Sequence, residues 1–211
     1  MWDKLKEQFN LLKLEKKKLC LITNSDRFIS KDDFLDAIAS ALQGGVDMVL
    51  LNEKNIPDGI IVDIGRKIRM LCDEYGATYI VKDRCDIALI TEADGVHLAQ
   101  NGICIADAKE LLEQNAIIGK SVSNPDEVKA AVNNGADYLI MTPVYGQTIP
   151  DMEFIAGINK DLKIPVFIAG GINQSNINEI LQFKVNKLAL ADELMYAKIP
   201  EFAARDFIKR L

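Results

Sequence analysis

Short apolar segments alternate with amphipathic helical segments eight times along this chain. Each apolar segment is a continuous run of buried-type residues, which is typical of strands covered on both faces in a parallel sheet. Eight strand–helix units favour a closed barrel over an open doubly wound sheet. The sequence therefore predicts an α/β fold, a (βα)8 TIM barrel. The predicted strands are Leu19–Thr23, Val46–Leu51, Thr78–Val81, Gly95–Leu98, Ile117–Gly119, Tyr138–Met141, one within Ile164–Ile172, and Leu188–Leu190.

Helical segments are predicted between these strands, and further ones at the two ends of the chain. Trp2, Leu5, Phe9 and Leu12 recur at helical spacing, so residues 1–17 are predicted to form an added helix that packs against the barrel. Residues 18–211 are then one TIM-barrel domain. The helices predicted after the strands are Ser30–Leu42, Ile60–Tyr75, Arg84–Thr91, Ala106–Gln114, Pro125–Asn134, Met152–Asn159, Ser175–Phe183 and Glu193–Leu211.

Charge and cysteine usage limit the compartment and the partners. The net charge is −6 and the one basic run is Lys16–Lys18, which argues against a nucleic-acid partner. The four cysteines show no Cys-x-x-Cys spacing, so neither a disulfide framework nor a thiolate metal site is expected. The amino terminus has no hydrophobic signal core, and no apolar run approaches the ~20 residues that span a bilayer. We expect a cytoplasmic protein with no membrane partner, and its oligomeric state, including a homo-oligomer, is left open.

The stretch Ile164–Ile172 combines a short buried strand with a pair of glycines and a helix start. Gly170 and Gly171 lack a Cβ atom, so the backbone there can adopt positive φ and let a ligand approach its N–H groups. In (βα)8 barrels, the loops after strands seven and eight commonly bind a phosphate. The alternative is a tight strand-to-helix turn that binds nothing.

Polar residues of both charge signs follow the predicted strands. Because chemistry in a TIM barrel takes place at the carboxyl ends of the strands, these residues are expected to meet at one rim. Such a ring suits a phosphorylated small molecule. The ring consists of Asn24, Asn52, Glu53, Lys54, Lys82, Asp83, Arg84, His97, Gln100, Ser121, Thr142, Tyr145, Gly170, Gly171, Asp192 and Glu193.

Six short stretches at or beside the predicted strands occur in an order typical of one known family. They are Val49–Lys54, Tyr79–Arg84, Ala93–Gln100, Ile118–Ser121, Gly135–Tyr138 and Ala169–Ile172, and the Ala93–Gln100 run is the most specific. By these stretches the sequence from Lys18 onward resembles the thiamine phosphate synthase family, which includes the TenI-type thiazole tautomerases.

The resemblance implies a reaction and a set of site residues. Synthases of this kind couple a pyrimidine-methyl pyrophosphate to a thiazole phosphate, and cationic residues with Mg²⁺ stabilise the departing pyrophosphate. By the match of motifs, Lys54 and Ser121 are the expected catalytic residues and Asp83 the expected metal ligand. The residues expected to bind the phosphorylated heterocyclic substrates are Asn52, Lys82, His97, Gln100, Thr142, Gly170, Gly171, Ala191 and Asp192.

Several positions depart from the family pattern, which predicts a degenerate site. Lys82 replaces an Asn, and Gly102 replaces a second metal-binding Asp, so Mg²⁺ binding is expected to be weakened. Asn52 replaces an Arg, and the loop after Thr142 lacks the family's lysine. Asp192 would repel a bound phosphate unless Lys82 or Lys187 compensates its charge.

Three readings of the function follow from this pattern. The first is a thiamine phosphate synthase whose activity is retained, altered or lost. The second is a thiazole tautomerase, although Pro143 lies near the place of the distinctive strand-six histidine, or a noncatalytic paralogue that binds a thiazole or pyrimidine phosphate. The third, a sugar-phosphate isomerase, has no second carboxylate or base placed for proton abstraction.

Overall fold

A closed barrel of eight parallel strands forms the centre of the protein. The computed structural model describes residues 12–112, 116–142, 157 and 162–211. Each strand pairs with the next along the chain, and the eighth pairs with the first. The predicted (βα)8 barrel is confirmed. The strands are β1 Leu19–Ile22, β2 Met48–Leu51, β3 Thr78–Lys82, β4 Gly95–Leu98, β5 Ile117–Val122, β6 Tyr138–Met141, β7 Val166–Ala169 and β8 Leu188–Leu190.

Helices surround the barrel, and their starts use the expected capping chemistry. The Ser30 hydroxyl accepts a hydrogen bond from the backbone N–H of Asp33, and the Asn124 side chain accepts one from that of Glu127. The helices bounded in the described residues are α1 Lys31–Gln43, α2 Asp58–Tyr75, α3 Cys85–Ile90, α4 Ile105–Leu111, α5 Pro125–Asn133, α6 Ile177–Leu181, α7 Asp192–Met195 and α8 Pro200–Arg210.

Successive residues of each strand point alternately into the barrel and toward the helices. On β1, Cys20 belongs to the interior apolar cluster, whereas Leu19 and Leu21 belong to the cluster between strands and helices. This period of two is the geometry of an extended chain. Continued to the carboxyl ends of the strands, it places six of the predicted site residues on the interior side. They are Asn52, Lys82, His97, Ser121, Thr142 and Ala191.

Two predicted elements differ clearly from the structure, and a third lies almost entirely outside the described residues. The single closing helix Glu193–Leu211 is wrong: α7 ends at Met195, and α8 starts at Pro200 after an extended Ile199. Proline lacks the N–H that would continue the first helix, so the chain restarts there. β5 extends beyond Gly119 to Val122, which puts Ser121 inside a strand. The predicted helix Met152–Asn159 lies outside the described residues except for Gly157, which is helical.

The chain enters the barrel from its amino-terminal end, opposite the mouth. Residues 12–15 are helical, and the Leu14 side chain is fully buried in the interior cluster. Lys187 Nζ donates hydrogen bonds of 2.6 Å to the carbonyl oxygens of Glu15 and Lys17. Residues 1–11, which carry most of the predicted amphipathic face, lie outside the described residues. The 1–17 helix and the boundary at residue 18 remain predictions.

Two further findings concern the cysteines and the length of the helices. All four cysteines are free thiols, and only Cys104 is exposed. In the described part of the chain, no helix combines the length and the apolar character needed to cross a lipid bilayer.

Candidate active site

Two lysines lie at the mouth of the barrel, after β2 and at the end of β3. Neither Lys54 Nζ nor Lys82 Nζ has a hydrogen-bond or ion-pair partner among the described residues. Lys82 is half-buried, and burial lowers its pKa, with the nearby Lys54 ammonium acting in the same direction and Asp83 against it. Arg84 differs, because its guanidinium pairs with Asp58 at 2.9 Å and with Asp86 at 2.6 Å. The two lysines are therefore cations that an incoming anion can meet.

Asp83 is held in an unusual backbone conformation next to Lys82. Its φ is +57°, in the left-handed region that non-glycine residues rarely adopt. Its backbone N–H donates to the His97 carbonyl, and its Oδ1 accepts a 2.6 Å hydrogen bond from the Ala99 N–H. The Asp83 carboxylate thus caps the end of β4.

The residues around Asp83 supply few oxygen ligands for a Mg²⁺ ion. A Cβ atom built on Gly102 would lie 2.8 Å from Asp83 Oδ1, so the position beside this carboxylate carries no side chain. Glu53 is used elsewhere: its carboxylate accepts hydrogen bonds from the hydroxyls of Thr23 and Ser25. No three His, Cys, Asp or Glu side chains cluster as a metal site within the described ranges. Mg²⁺ is commonly held by one or two carboxylates together with substrate phosphates and water. Here a glycine stands beside the Asp83 carboxylate and the Lys82 ammonium is adjacent to it in sequence, so these residues fit Mg²⁺ poorly.

His97 and Ser121 form a buried hydrogen-bonded pair across β4 and β5. His97 Nε2 lies 2.8 Å from Ser121 Oγ, and the ring packs against Tyr138 with centroids 5.5 Å apart. Burial lowers the pKa of His97 to about 3, and the cations of Lys82 and Lys120 contribute. The imidazole is therefore neutral at physiological pH. The ring is only 1% exposed, so a ligand at the mouth has little access to it. Its hydrogen bond instead orients the Ser121 hydroxyl.

The loop after β7 has the backbone conformation that its glycines permit. Gly170 has φ +96° and Gly171 φ +68°, so both require the freedom of a residue without Cβ. Asn173 Oδ1 accepts hydrogen bonds from the backbone N–H groups of Ser175 and Asn176, and Asn176 Nδ2 donates to the Gly171 carbonyl at 2.8 Å. These side-chain bonds hold the loop in one shape, and α6 begins only at Ile177.

Asp192, at the start of α7, is paired with the loop after β1. Its carboxylate accepts a 3.0 Å hydrogen bond from Asn24 Nδ2 and forms a 3.3 Å ion pair with Arg27 Nη2. Arg27 also stacks over the Tyr196 ring, 4.5 Å from its centroid. The expected compensation by Lys187 is wrong, because that ammonium lies at the opposite end of the barrel. Arg27, which no local sequence pattern singles out, forms the ion pair with Asp192 instead.

The other predicted site residues that the structure describes lie around the same mouth. The Asn52 N–H donates to Thr23 Oγ1, and its buried Oδ1 has no partner among the described residues. Gln100 Nε2 donates to a Glu127 carboxylate oxygen, which ties the loop after β4 to α5. The Thr142 N–H donates to the Val122 carbonyl; Tyr145 lies outside the described residues. Ala191 precedes α7.

Sequence reasoning missed two supports of the site. Thr23 and Ser25 hold Glu53, which joins the loops after β1 and β2. Lys120 points away from the barrel interior and donates a 2.7 Å hydrogen bond to the Ala99 carbonyl. Hydroxyls that flank a predicted strand end are the one signal that could have indicated the first network. Nothing in the local sequence indicates the second.

Comparison with known proteins identifies the family. The profile described as thiamine monophosphate synthase matches residues 19–194. This chain belongs to the thiamine monophosphate synthase family. A thiamine-phosphate synthase from Nostoc sp. is 32% identical over 204 residues, which is 94% of this chain and 57% of that protein. One from Thermoplasma acidophilum is 31% identical over 184 residues, covering 84% of this chain and 85% of the relative.

A solved member of the thiamine monophosphate synthase family has the same architecture. The thiamine phosphate pyrophosphorylase from Pyrococcus furiosus is 34% identical, covers 96% of both chains and superposes with a TM-score of 0.84. The chain spans little more than half the length of several of the relatives it matches, 57% for the Nostoc protein. Members of the family are generally Mg²⁺-dependent.

Proposed function

We propose that this protein couples a pyrimidine-methyl diphosphate to a thiazole phosphate, with release of diphosphate, as a thiamine-phosphate synthase. The observation that carries the proposal is the barrel mouth. Lys54 after β2 and Lys82 at the end of β3 have no partner there among the described residues, and a glycine loop follows β7. One region is cationic, and the other presents backbone in a ligand-accessible conformation. Membership of the thiamine monophosphate synthase family supports the assignment of this reaction.

The chemistry requires charge stabilisation of a leaving group more than proton transfer. When the bond between the pyrimidine methylene and the diphosphate oxygen breaks, the electron pair leaves with the diphosphate and a cation forms on the carbon. The thiazole nitrogen then donates its lone pair to that carbon. Lys54 and Lys82 would hold the departing negative charge, which is electrostatic catalysis by groups already in place. Ser121, oriented by His97, would donate a hydrogen bond within the same site.

In this proposal the thiazole phosphate, the second substrate, binds at the loop after β7. The N–H groups around Gly170 and Gly171 would bind the thiazole phosphate. The Asn173 and Asn176 bonds keep the loop in its positive-φ shape, so little ordering cost remains on binding. The lysines after β2 and on β3 lie across the barrel mouth from the loop after β7. Substrates bound at the two places would then bring the thiazole nitrogen to the pyrimidine carbon.

The test is product formation by the purified chain. The protein is incubated with both substrates, and thiamine phosphate is measured by mass spectrometry, with and without Mg²⁺. We expect turnover that falls at least about tenfold in Lys54→Gln, because a charge-assisted contact is lost. Lys129→Gln, which makes the same charge change on the exposed face of α5, is the matched control. Folded protein that yields no thiamine phosphate under either condition would refute the proposal.

A further inference from the structure

We propose that Lys82 and Lys54 together bind the diphosphate as a fixed pair of cations, so that this chain binds diphosphate without a divalent cation. The inference rests on the proposed function and assigns to Lys82 a role specific to this sequence. It starts from the disagreement between a Mg²⁺-dependent family and a set of residues that does not fit Mg²⁺.

The position of the two lysines allows both to reach one ligand. In the register of β2 and β3, Leu51 lies opposite Val81, so Lys82 lies at the level of Asn52 and two residues before Lys54. Neighbouring parallel strands are about 4.8 Å apart. The side chain of Lys82 points to the barrel interior, as Ile80 does. Both lysine side chains are long enough for their ammonium groups to contact the same diphosphate at the mouth.

The surroundings leave these two charges available. Arg84 is held by Asp58 and Asp86. The Asp83 carboxylate is directed to the Ala99 N–H and forms no ion pair with Lys82 in the described part of the chain. Among the described residues no group pairs with the half-buried Lys82 ammonium. Because burial reduces its hydration, binding an anion there is favoured. A diphosphate supplies that partner.

The absence of a side chain at position 102 completes the arrangement. A carboxylate there would lie against Asp83 and would create the pair of oxygen ligands that Mg²⁺ prefers. With Gly102, Asp83 is alone and is already occupied by a backbone N–H. Lys82 adds a positive charge at the adjacent position. In this proposal the Lys82 ammonium therefore supplies positive charge that a bound Mg²⁺ would otherwise supply.

The test is calorimetric binding of inorganic diphosphate to the whole chain, in EDTA and in Mg²⁺. We expect the two Kd values to agree within about threefold. In EDTA, Lys82→Gln and Lys54→Gln should each weaken binding by about tenfold to a hundredfold, the range for one charge-assisted hydrogen bond. Lys129→Gln should bind as the wild type does, and thermal unfolding of each variant shows that it is folded.

The outcomes separate this inference from the proposed function. Diphosphate that binds only with Mg²⁺, or equally well to folded Lys82→Gln, overturns the two-lysine proposal even if thiamine phosphate is formed. Lysine-dependent binding in EDTA supports it even if no thiamine phosphate is formed, in which case the proposed function alone fails.

Discussion

His97 Nε2 lies 2.8 Å from Ser121 Oγ, and this bond joins β4 to β5 just below the barrel mouth. Because the imidazole is buried, and because the charges of Lys82 and Lys120 act in the same direction, its pKa is lowered and it stays neutral. A neutral ring can donate to the serine or accept from it, so the pair sets the direction of the Ser121 hydroxyl. The geometry makes His97 a positioning residue for Ser121.

The first prediction concerns the pH dependence of stability. The pKa of His97 is about 3 in the folded protein and about 6.5 in the unfolded chain, so only the unfolded state gains a proton between these values. Stability should therefore fall as the pH falls below 6.5 and should be independent of His97 above it. Between pH 7 and pH 5 the loss from this group is about 2 kcal/mol.

Urea unfolding at pH 7, 6 and 5 measures this effect, with His97→Gln as the variant that cannot titrate. Acidic groups act in both proteins and cancel in the comparison. His97 is the only histidine in the chain, so its imidazole NMR signals are unambiguous. Signals that titrate with a midpoint near 6.5 would contradict the prediction.

The strand pattern was predictable because burial on both faces leaves a continuous apolar run, and β4, β6 and β8 have the predicted bounds. Pro200 also indicates the break between α7 and α8. The helical spacing of apolar residues continues past this proline, however, and favours a single helix. Contacts such as Arg27 with Asp192 are different. They join residues 165 positions apart through the closure of the barrel, and no local pattern encodes them.

Gly119 is required by the Tyr138 ring on the neighbouring strand. A Cβ atom at position 119 would lie 2.2 Å from Tyr138 Cζ, and that ring is fully buried against Phe167. Gly119→Ala should therefore destabilise the fold by about 1–3 kcal/mol or more, as overpacking does.

The matched control is Gly59→Ala, because a Cβ at Gly59 on α2 meets no atom within 4 Å. It should leave stability unchanged or raise it by about 0.5–1 kcal/mol through helix propensity. Chemical denaturation of the two variants at pH 7 checks the pair. Equal stability of Gly119→Ala and the wild type would show that Tyr138 moves without cost.

A metal requirement should be restorable at Gly102. Its φ lies outside the left-handed region, but an added Cβ would lie 2.8 Å from Asp83 Oδ1 and 3.2 Å from the Ala99 carbonyl oxygen. An aspartate there therefore requires the Asp83 side chain to move and the Ala99 backbone to give by a few tenths of an ångström. In Lys82→Asn/Gly102→Asp, two carboxylates face each other and one cation is gone. Mg²⁺ should strengthen diphosphate binding of this variant by about tenfold or more, against less than about threefold for the wild type. Calorimetry that shows no Mg²⁺ effect on the double variant would mean that positions 83 and 102 do not share a metal.

The last prediction concerns Asp192, which follows β8 beside the loop of Gly170 and Gly171. Its ion pair with Arg27 is exposed, with 48% of the aspartate side chain accessible, and such pairs neutralise each other only in part. A carboxylate about 4 Å from a bound phosphate costs about 4 kcal/mol at the effective dielectric of a protein surface. Asp192→Asn and Asp192→Ser should therefore each bind thiazole phosphate, or sulfate as its mimic, about tenfold more tightly.

Two further variants identify the source of that gain. Asp206→Asn removes an equally exposed aspartate from its ion pair with Arg210, on α8, and should leave binding unchanged. Arg27→Gln in the Asp192→Asn background shows whether the released guanidinium contributes, because the gain should then shrink. Titration of the wild type and the four variants with sulfate at constant ionic strength provides the comparison. If the wild type and both Asp192 variants bind equally well, this carboxylate does not face the anion, and the phosphate lies away from the end of β8.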